Sequence, residues 1–263
     1  MSDESAQTGA SGGEQPLMAH LLELRARLVR IVYGVGVFFL PLAYYSRDIY
    51  TWIAHPLMRL LPPGSSMIAT EVAAPFLAPI KLAGILAVAA AAPWVLYQIW
   101  AFVAPGLYKS EKRLVVPLLT SSTLLFYSGV AFAYFLVLPN VFRFMVHVAP
   151  QGVAVMTDIN KYLDFVFTLF LAFGFAFETP VAIVLLVRTG FVTPAQLAAR
   201  RDYVIVGIFI VAAIFAPPDV LSQILLAVPA YLLYEIGIVA ARWVTPRKED
   251  AEAETPEPQQ PEN

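Results

Sequence analysis

Three histidines, no cysteine and nineteen carboxylates limit what this chain can do to another molecule. His20, His55 and His147 are too far apart for a two-histidine metal motif on one helix. The absence of cysteine excludes disulfides, thiol nucleophiles, iron–sulfur clusters and thiolate zinc sites. No Gly-rich loop ending in Lys-Ser/Thr cradles a nucleotide phosphate, and no GxSxG turn presents a serine. Chemistry therefore falls to the carboxylates, and the energy for any transport must come from outside the chain.

Five acids stand out by their surroundings. Glu23 lies in HLLELRARLVR. On a helix His20, Glu23, Arg27 and Arg30 fall within about 80° of one another, with Leu21, Leu24 and Leu28 on a separate face. Glu23 can pair with Arg27 one turn on, worth a few tenths of a kcal/mol, or serve a partner. Glu111, in PGLYKSEKR, has a similar pair of readings. Ser110 can cap the next helix with Glu111 at its positive end, or the two glutamates can share one mouth and bind a cation. Charge-assisted, two-point bonding would then favour arginine. Glu178, in FAFETPVAIV, is separated from Asp164 by thirteen residues and from Arg188 by nine. An ionisable group at that depth of an apolar run is a functional candidate. Pro180 also takes the helical partner from the Ala176 carbonyl, which predicts a kink or hydrated notch. Glu235 reads as a residue that snorkels or pairs with Arg242. Asp219, in APPDVLSQ, has the pattern of a helix N-cap, with Gln223 one turn on as a second polar group. Phe102 reads as an interfacial anchor, Lys81 as a snorkelling base, and Pro56 and Pro117 as backbone devices.

The elements that position these residues are membrane helices. The chain has 263 residues, 59% hydrophobic and 14% charged, against about half and a quarter in soluble domains. Charge gathers at the ends: residues 1–14 hold three acids and no base, and 247–263 hold six acids against two bases. The middle, 15–246, is basic by five although the whole chain is −2. Charge-free windows mark six spans: Ile31–Ser46 with a helical approach from about Leu17, Leu82–Tyr108, Leu114–Phe142, Phe165–Val187 across Glu178, Tyr203–Pro218, and Val220–Tyr234 continuing to Ala241. The expected fold is thus an all-α membrane protein of six transmembrane helices. Tyr203–Ala216 is only 14 residues, about 21 Å of helix against a ~30 Å core. It either thins the bilayer or extends through Arg200 and Arg201 into the interface. With both termini cytoplasmic, twelve bases lie inside and five outside, as the positive-inside rule requires. Ile49–Leu61 reads as an amphipathic outer segment and Arg143–Asp164 as a second ordered one. The leader 1–14 and the acidic tail 247–263 read as disordered.

The motifs together resemble the TatC family, the multispanning receptor subunits of the twin-arginine protein translocase. The resemblance runs in order through HLLELRARL, APFLAPIKL, APWVLYQIWAFVAPGLYKSEKRLVVP, FYSGVAFAYFLVLP, TDINKYLDFV, FGFAFETPVAIVLL and APPDVLSQILLAVPAYLLYEIG. It covers Gln15 to about Pro246, 232 of 263 residues. It implies a concave bundle in a bacterial cytoplasmic membrane, with no cofactor and no enzymatic activity. It also implies signal-peptide binding by Glu23 and Glu111 with Phe102, Leu24 and Arg25 around them. Glu178 would be an intramembrane polar group, and Pro56, Asp219 and Gln223 would serve transport and partner contact. The implied partners are TatA and TatB single-span subunits docking along helices five and six, twin-arginine signal peptides of folded cargo, other TatC copies and the lipid bilayer, with no nucleic acid. The protonmotive force would supply the energy. A proton-coupled small-solute transporter is the rival class, resting on Glu178 and Lys81. It lacks the internal repeat that many such carriers show. An intramembrane enzyme would need a nucleophile with its base, or a metal set, that three scattered histidines do not provide.

Overall fold

The computed structural model describes residues 14–51, 67–103, 112–148, 157–215 and 220–244. The helices are α1 (Glu14–Tyr44), α2 (Ala74–Ala90), α3 (Ala92–Val103), α4 (Lys112–Phe132), α5 (Leu138–Val148), α6 (Ile159–Phe177), α7 (Thr179–Arg188), α8 (Pro194–Ala199), α9 (Arg201–Phe215) and α10 (Val220–Val244), with a π-helical turn, Ala133–Val137, between α4 and α5. Among the described residues there is no strand, only one parallel bridge between Ile68 and Asp158.

Among the described residues, four stretches are long and apolar enough to cross a membrane: His20–Tyr44, Val115–Phe144, Ile159–Arg188 and Ser222–Trp243. The pair α2 and α3 makes a fifth, bent by 54°. α9 has 15 residues, about 22 Å. It is the short element expected there, and it does not reach the length of an ordinary span. Three expectations are corrected. The second span begins at Ala74, eight residues before the charge-free window, because Lys81 lies inside α2 and is ion-paired with Asp164. That span is also broken at Ala91. Pro93 has no amide to offer the Ala89 carbonyl, so the ladder opens. The Tyr127 hydroxyl of α4 donates to that oxygen at 3.0 Å. α1 starts at Glu14, three residues earlier than expected.

The chain divides into two compact units, Met1–Gly174 and Phe175–Asn263. In the first, α1 runs antiparallel along α3 and then α2. Phe39 lies 3.9 Å from where a Cβ on Gly84 would sit. The Trp94 ring lies against Gly34, where an added Cβ would come within 2.3 Å of Cδ1, so only glycine leaves room for the indole. α2 buries Ala74, Ala78, Ala83 and Ala87, small residues that let helices approach closely where no hydrophobic effect drives association. Trp100 Nε1 donates to Ser122 Oγ at 2.8 Å and ties α3 to α4. The π turn closes through the Leu138 amide to the Ala133 carbonyl, one residue before Pro139, a usual place for a helix to adjust its winding.

In the second unit α10 is the hub, packed on α7, α8 and α9. Ile183, Tyr234, Ile238 and Ala241 form its core. A Cβ on Gly237 would fall 2.7 Å from Ile183 Cδ1 and 3.0 Å from Pro180 Cα, so the two backbones meet there. α7 ends in a Schellman turn: Gly190, at φ +76, donates to Val187, and Phe191 donates to Leu186. α8 then opens with a Thr193–Gln196 capping box and Pro194 in its first turn.

Candidate functional site

The polar stripe of α1 meets a matching stripe on α3. Trp94, Gln98 and Phe102 recur every four residues, so they share one face of α3. Antiparallel to α1, they fall opposite Arg30, Arg27 and His20 in turn. Trp94 Nε1 donates to the Arg30 carbonyl at 3.0 Å. Arg27 Nη1 reaches Gln98 Oε1 at 3.4 Å. The His20 and Phe102 rings stack with centroids 4.3 Å apart. Between these contacts sits Glu23, whose Oε1 accepts from Arg27 Nε at 3.0 Å and from Nη2 at 2.6 Å. The Arg27 side chain is 17% exposed and the Glu23 side chain 40%. The i,i+4 ion pair read from the sequence is therefore present, and it lies at the proposed binding face. Leu24 and Arg25 are exposed on the same turn of α1. Gln98, buried at 2% exposure, was missed by sequence reasoning. The readable signal was the lone amide in the four-residue stripe of APWVLYQIWAF.

The other end of the first unit carries a carboxylate held differently. Asp158 accepts hydrogen bonds from Thr70 N at 3.0 Å and Thr70 Oγ1 at 2.6 Å on one oxygen. The other oxygen accepts from Asn160 N at 2.9 Å and Lys161 N at 3.1 Å. It is thus the N-cap of α6 and the pin for the segment that leads into α2. The Ile68–Thr157 and Ile159–Ile68 backbone bonds run alongside. The Thr70 hydroxyl and amide bonds hold its carboxyl well below the ordinary 3.8, at about 2. A cavity of about 380 Å³ opens beside this joint, with Lys81, Lys161, Glu71 and Asp164 on its wall. Asp158 was also missed, although Asp before Ile-Asn-Lys is a readable N-cap signal.

Glu178 interrupts the fourth span as the proline predicted. Its amide bonds Phe175, three residues back, and α7 restarts at Thr179 with Pro180 in its first turn. Its side chain is buried, at 6% exposure. Gln223 Nε2 donates to the Phe209 carbonyl at 3.1 Å and fastens the start of α10 to α9. The expectation for Glu235 is corrected: its hydrogen-bonded partner is Arg201, not Arg242. Arg201 Nε and Nη2 donate at 2.6 and 2.8 Å in a two-point pair, and the Tyr231 hydroxyl adds a third bond at 2.9 Å. The partner lies 34 residues away on α9, and only the packing of α9 on α10 brings it in. Pro56, Glu111 and Asp219 lie outside the described residues, as do the leader up to residue 13, the acidic tail, most of the expected outer segment Ile49–Leu61, and residues 149–156 of the second one. The structure therefore brings Glu23, Arg27, Gln98, His20 and Phe102 together and leaves the Glu23–Glu111 pairing untouched.

A family profile described as Sec-independent protein translocase protein (TatC) matches residues 19–229. The TatC protein of Escherichia coli is 55% identical over 229 residues, 87% of this chain and 89% of the relative. That of Haemophilus influenzae is 52% identical over 237 residues, 90% of this chain and 93% of the relative. Among solved structures, a crystal structure of a twin-arginine translocase receptor, TatC, superposes with a TM-score of 0.75 at 38% identity, covering 86% of this chain and 100% of that one. Profile, relatives and solved structure agree over most of the chain, which belongs to the TatC family of Sec-independent protein translocase proteins.

Proposed function

We propose that this chain is the receptor subunit that binds the paired arginines of a twin-arginine signal peptide and forms the core of the translocase that exports folded cargo. The observation that carries the reading is Glu23. A partly exposed carboxylate on a basic helix, flanked by the His20–Phe102 stack, already holds a guanidinium through two nitrogens. That is the chemistry a second arginine needs. Glu111 directly precedes α4 in the sequence. We assign it as the second acid, with Phe102, Leu24 and Arg25 contributing to the same binding role.

The topology that fits has six spans with both termini in the cytoplasm of a bacterium, α9 being the fifth and α10 the sixth. The twelve-to-five division of bases supports it. The domain 15–246 then lies in the inner membrane, with the leader and acidic tail inside, and Asp158 faces out. α9 exposes Tyr203, Val206, Ile210 and Ile214, a surface for lipid and for the single helices of TatA and TatB. Its length supports a bilayer thinned beside it. Glu178 serves the apolar part of the signal peptide, while Pro56, Asp219 and Gln223 serve transport and partner contact, in complexes with further copies of this chain. The role is transport driven by the protonmotive force, without catalysis or cofactor.

The test is site-specific crosslinking of a twin-arginine signal peptide to membranes containing this protein, beside a twin-lysine peptide and the Glu23→Ala and Glu111→Ala variants. Arginine-selective capture that is lost in both variants supports the reading. Capture that ignores Arg→Lys and survives both substitutions leaves the glutamates as helix-pairing and capping residues and moves the receptor site elsewhere.

A further inference from the structure

We infer that Arg27 is a resident arginine that occupies the receptor carboxylate until a signal-peptide arginine displaces it, and that Gln98 is the positioning residue that receives Arg27 during the exchange. The inference rests on the reading of Glu23 as an arginine acceptor and adds what occupies that carboxylate before a peptide arrives.

The geometry is that of a preloaded site. Arg27 spends two nitrogens on one oxygen of Glu23 and points the third at Gln98 Oε1, 3.4 Å away. That third bond is long for N–H···O, so it has room to shorten. Gln98 is buried at 2% exposure, and a buried amide oxygen gains from a charged donor. The Arg27 side chain is 17% exposed beneath a Glu23 side chain that is 40% exposed. The carboxylate is therefore the accessible partner and the resident guanidinium the sheltered one. A ligand that takes Glu23 sends Arg27 toward Gln98 rather than into solvent.

The cost of displacement is common to every ligand. A guanidinium offers Glu23 a two-point contact, whereas an ammonium offers a strongly hydrated point charge and no fork, and that difference belongs to the carboxylate itself. Either ligand must break the same two guanidinium bonds, held at high effective concentration by the same helix turn. The resident arginine thus lowers apparent affinity for every ligand by the same factor, set by the fraction of time it holds Glu23, and leaves the arginine preference unchanged.

The experiment uses the full chain in nanodiscs and measures affinity for twin-arginine and twin-lysine signal peptides by fluorescence anisotropy. Arg27→Gln and Arg27→Lys are compared with wild type, and Arg30→Gln removes the same charge one turn along the helix. The expected result is that Arg27→Gln tightens both peptides by the same factor, about tenfold, with the arginine preference unchanged. Arg27→Lys tightens them less, and Arg30→Gln less still, because it removes charge without removing the competitor. Gln98→Glu, which offers Arg27 a carboxylate, tightens both peptides, and Gln98→Leu weakens both. Each variant's melting temperature is recorded so that misfolding is not read as lost binding. An Arg27→Gln protein that melts like wild type and tightens neither peptide beyond what Arg30→Gln does overturns the inference, because Arg27 would then merely orient Glu23. If Glu23→Ala leaves binding intact, the acceptor reading itself fails. If Glu23→Ala abolishes binding while Arg27→Gln tightens neither peptide, the resident arginine alone is wrong.

Discussion

At Asp158 one carboxylate collects four hydrogen bonds, three of them from backbone amides, across two segments 88 residues apart in sequence. At Glu23 the ion pair comes from a side chain one turn away on the same helix, and that side chain has a second acceptor at Gln98. Backbone donors cannot leave without unfolding the segment that carries them. A guanidinium on a flexible stem can. The same functional group therefore builds a joint at one end of the first unit and an exchangeable contact at the other. The packing between them is fixed by the Gly34–Trp94 and Gly84–Phe39 approaches.

The sharpest break in that contrast is Asp158→Ala. It removes the α6 cap and the pin to Thr70 together, so in detergent it should lower the melting temperature by more than any substitution at Glu23, Arg27 or His20. Signal-peptide affinity of the surviving folded protein should stay at the wild-type value. A Glu23→Ala variant should show the reverse, lost binding with an unchanged melt. If both carboxylates behave alike in either assay, the distinction between joint and exchange site falls.

Acid titration sharpens the same point. The Asp158 carboxyl is lowered from 3.8 to about 2 by the Thr70 bonds and the α6 amides. A group whose folded value is depressed contributes stability above its unfolded value and loses it as pH falls through the folded one. The ionisation-linked part of the stability difference between wild type and Asp158→Ala should therefore be full above about pH 5 and be lost progressively as pH falls through 3.8 and about 2. Parallel melting curves over that range, with no convergence, would remove Asp158 as the source.

How much of this was legible in the sequence depended on how local the determining contact is. The charge-free windows located the apolar elements, and the Glu23–Arg27 pair and the Glu178–Pro180 break both depend on residues within four positions. Pro93 carried the same signal as Pro180 and was passed over, so the bend at Ala91 came as a correction. The start of α2 was misplaced because a lone lysine was taken as a boundary. Paired with Asp164, 83 residues away, Lys81 sits inside the helix without penalty. The Arg27–Gln98 contact and the Arg201–Glu235 pair were illegible for a related reason. Their partners are chosen by how helices cross, and a single sequence does not contain that register.

Two smaller substitutions probe the seam between joint and exchange site. Gly34→Ala places a Cβ 2.3 Å from the Trp94 ring. The indole must rotate, at a cost of about 1–3 kcal/mol for overpacking. Because Trp94, Gln98 and Phe102 share one face of α3, displacing the indole should also disturb Gln98 and weaken both peptides. Trp94→Phe is the gentler case. The ring remains over Gly34, while the 3.0 Å bond to the Arg30 carbonyl is lost, at about 0.5–1.5 kcal/mol. That carbonyl belongs to the exposed α1, where water can take the vacated place, so the lower figure is expected. Arg27 and Gln98 lie one turn further along and keep their spacing, so the affinity for the twin-arginine peptide should stay at the wild-type value. A Trp94→Phe protein that melts normally but binds the peptide with changed affinity would show that the exchange contact extends a full turn deeper than Arg27, with the Trp94–Arg30 bond part of the site rather than of the scaffold.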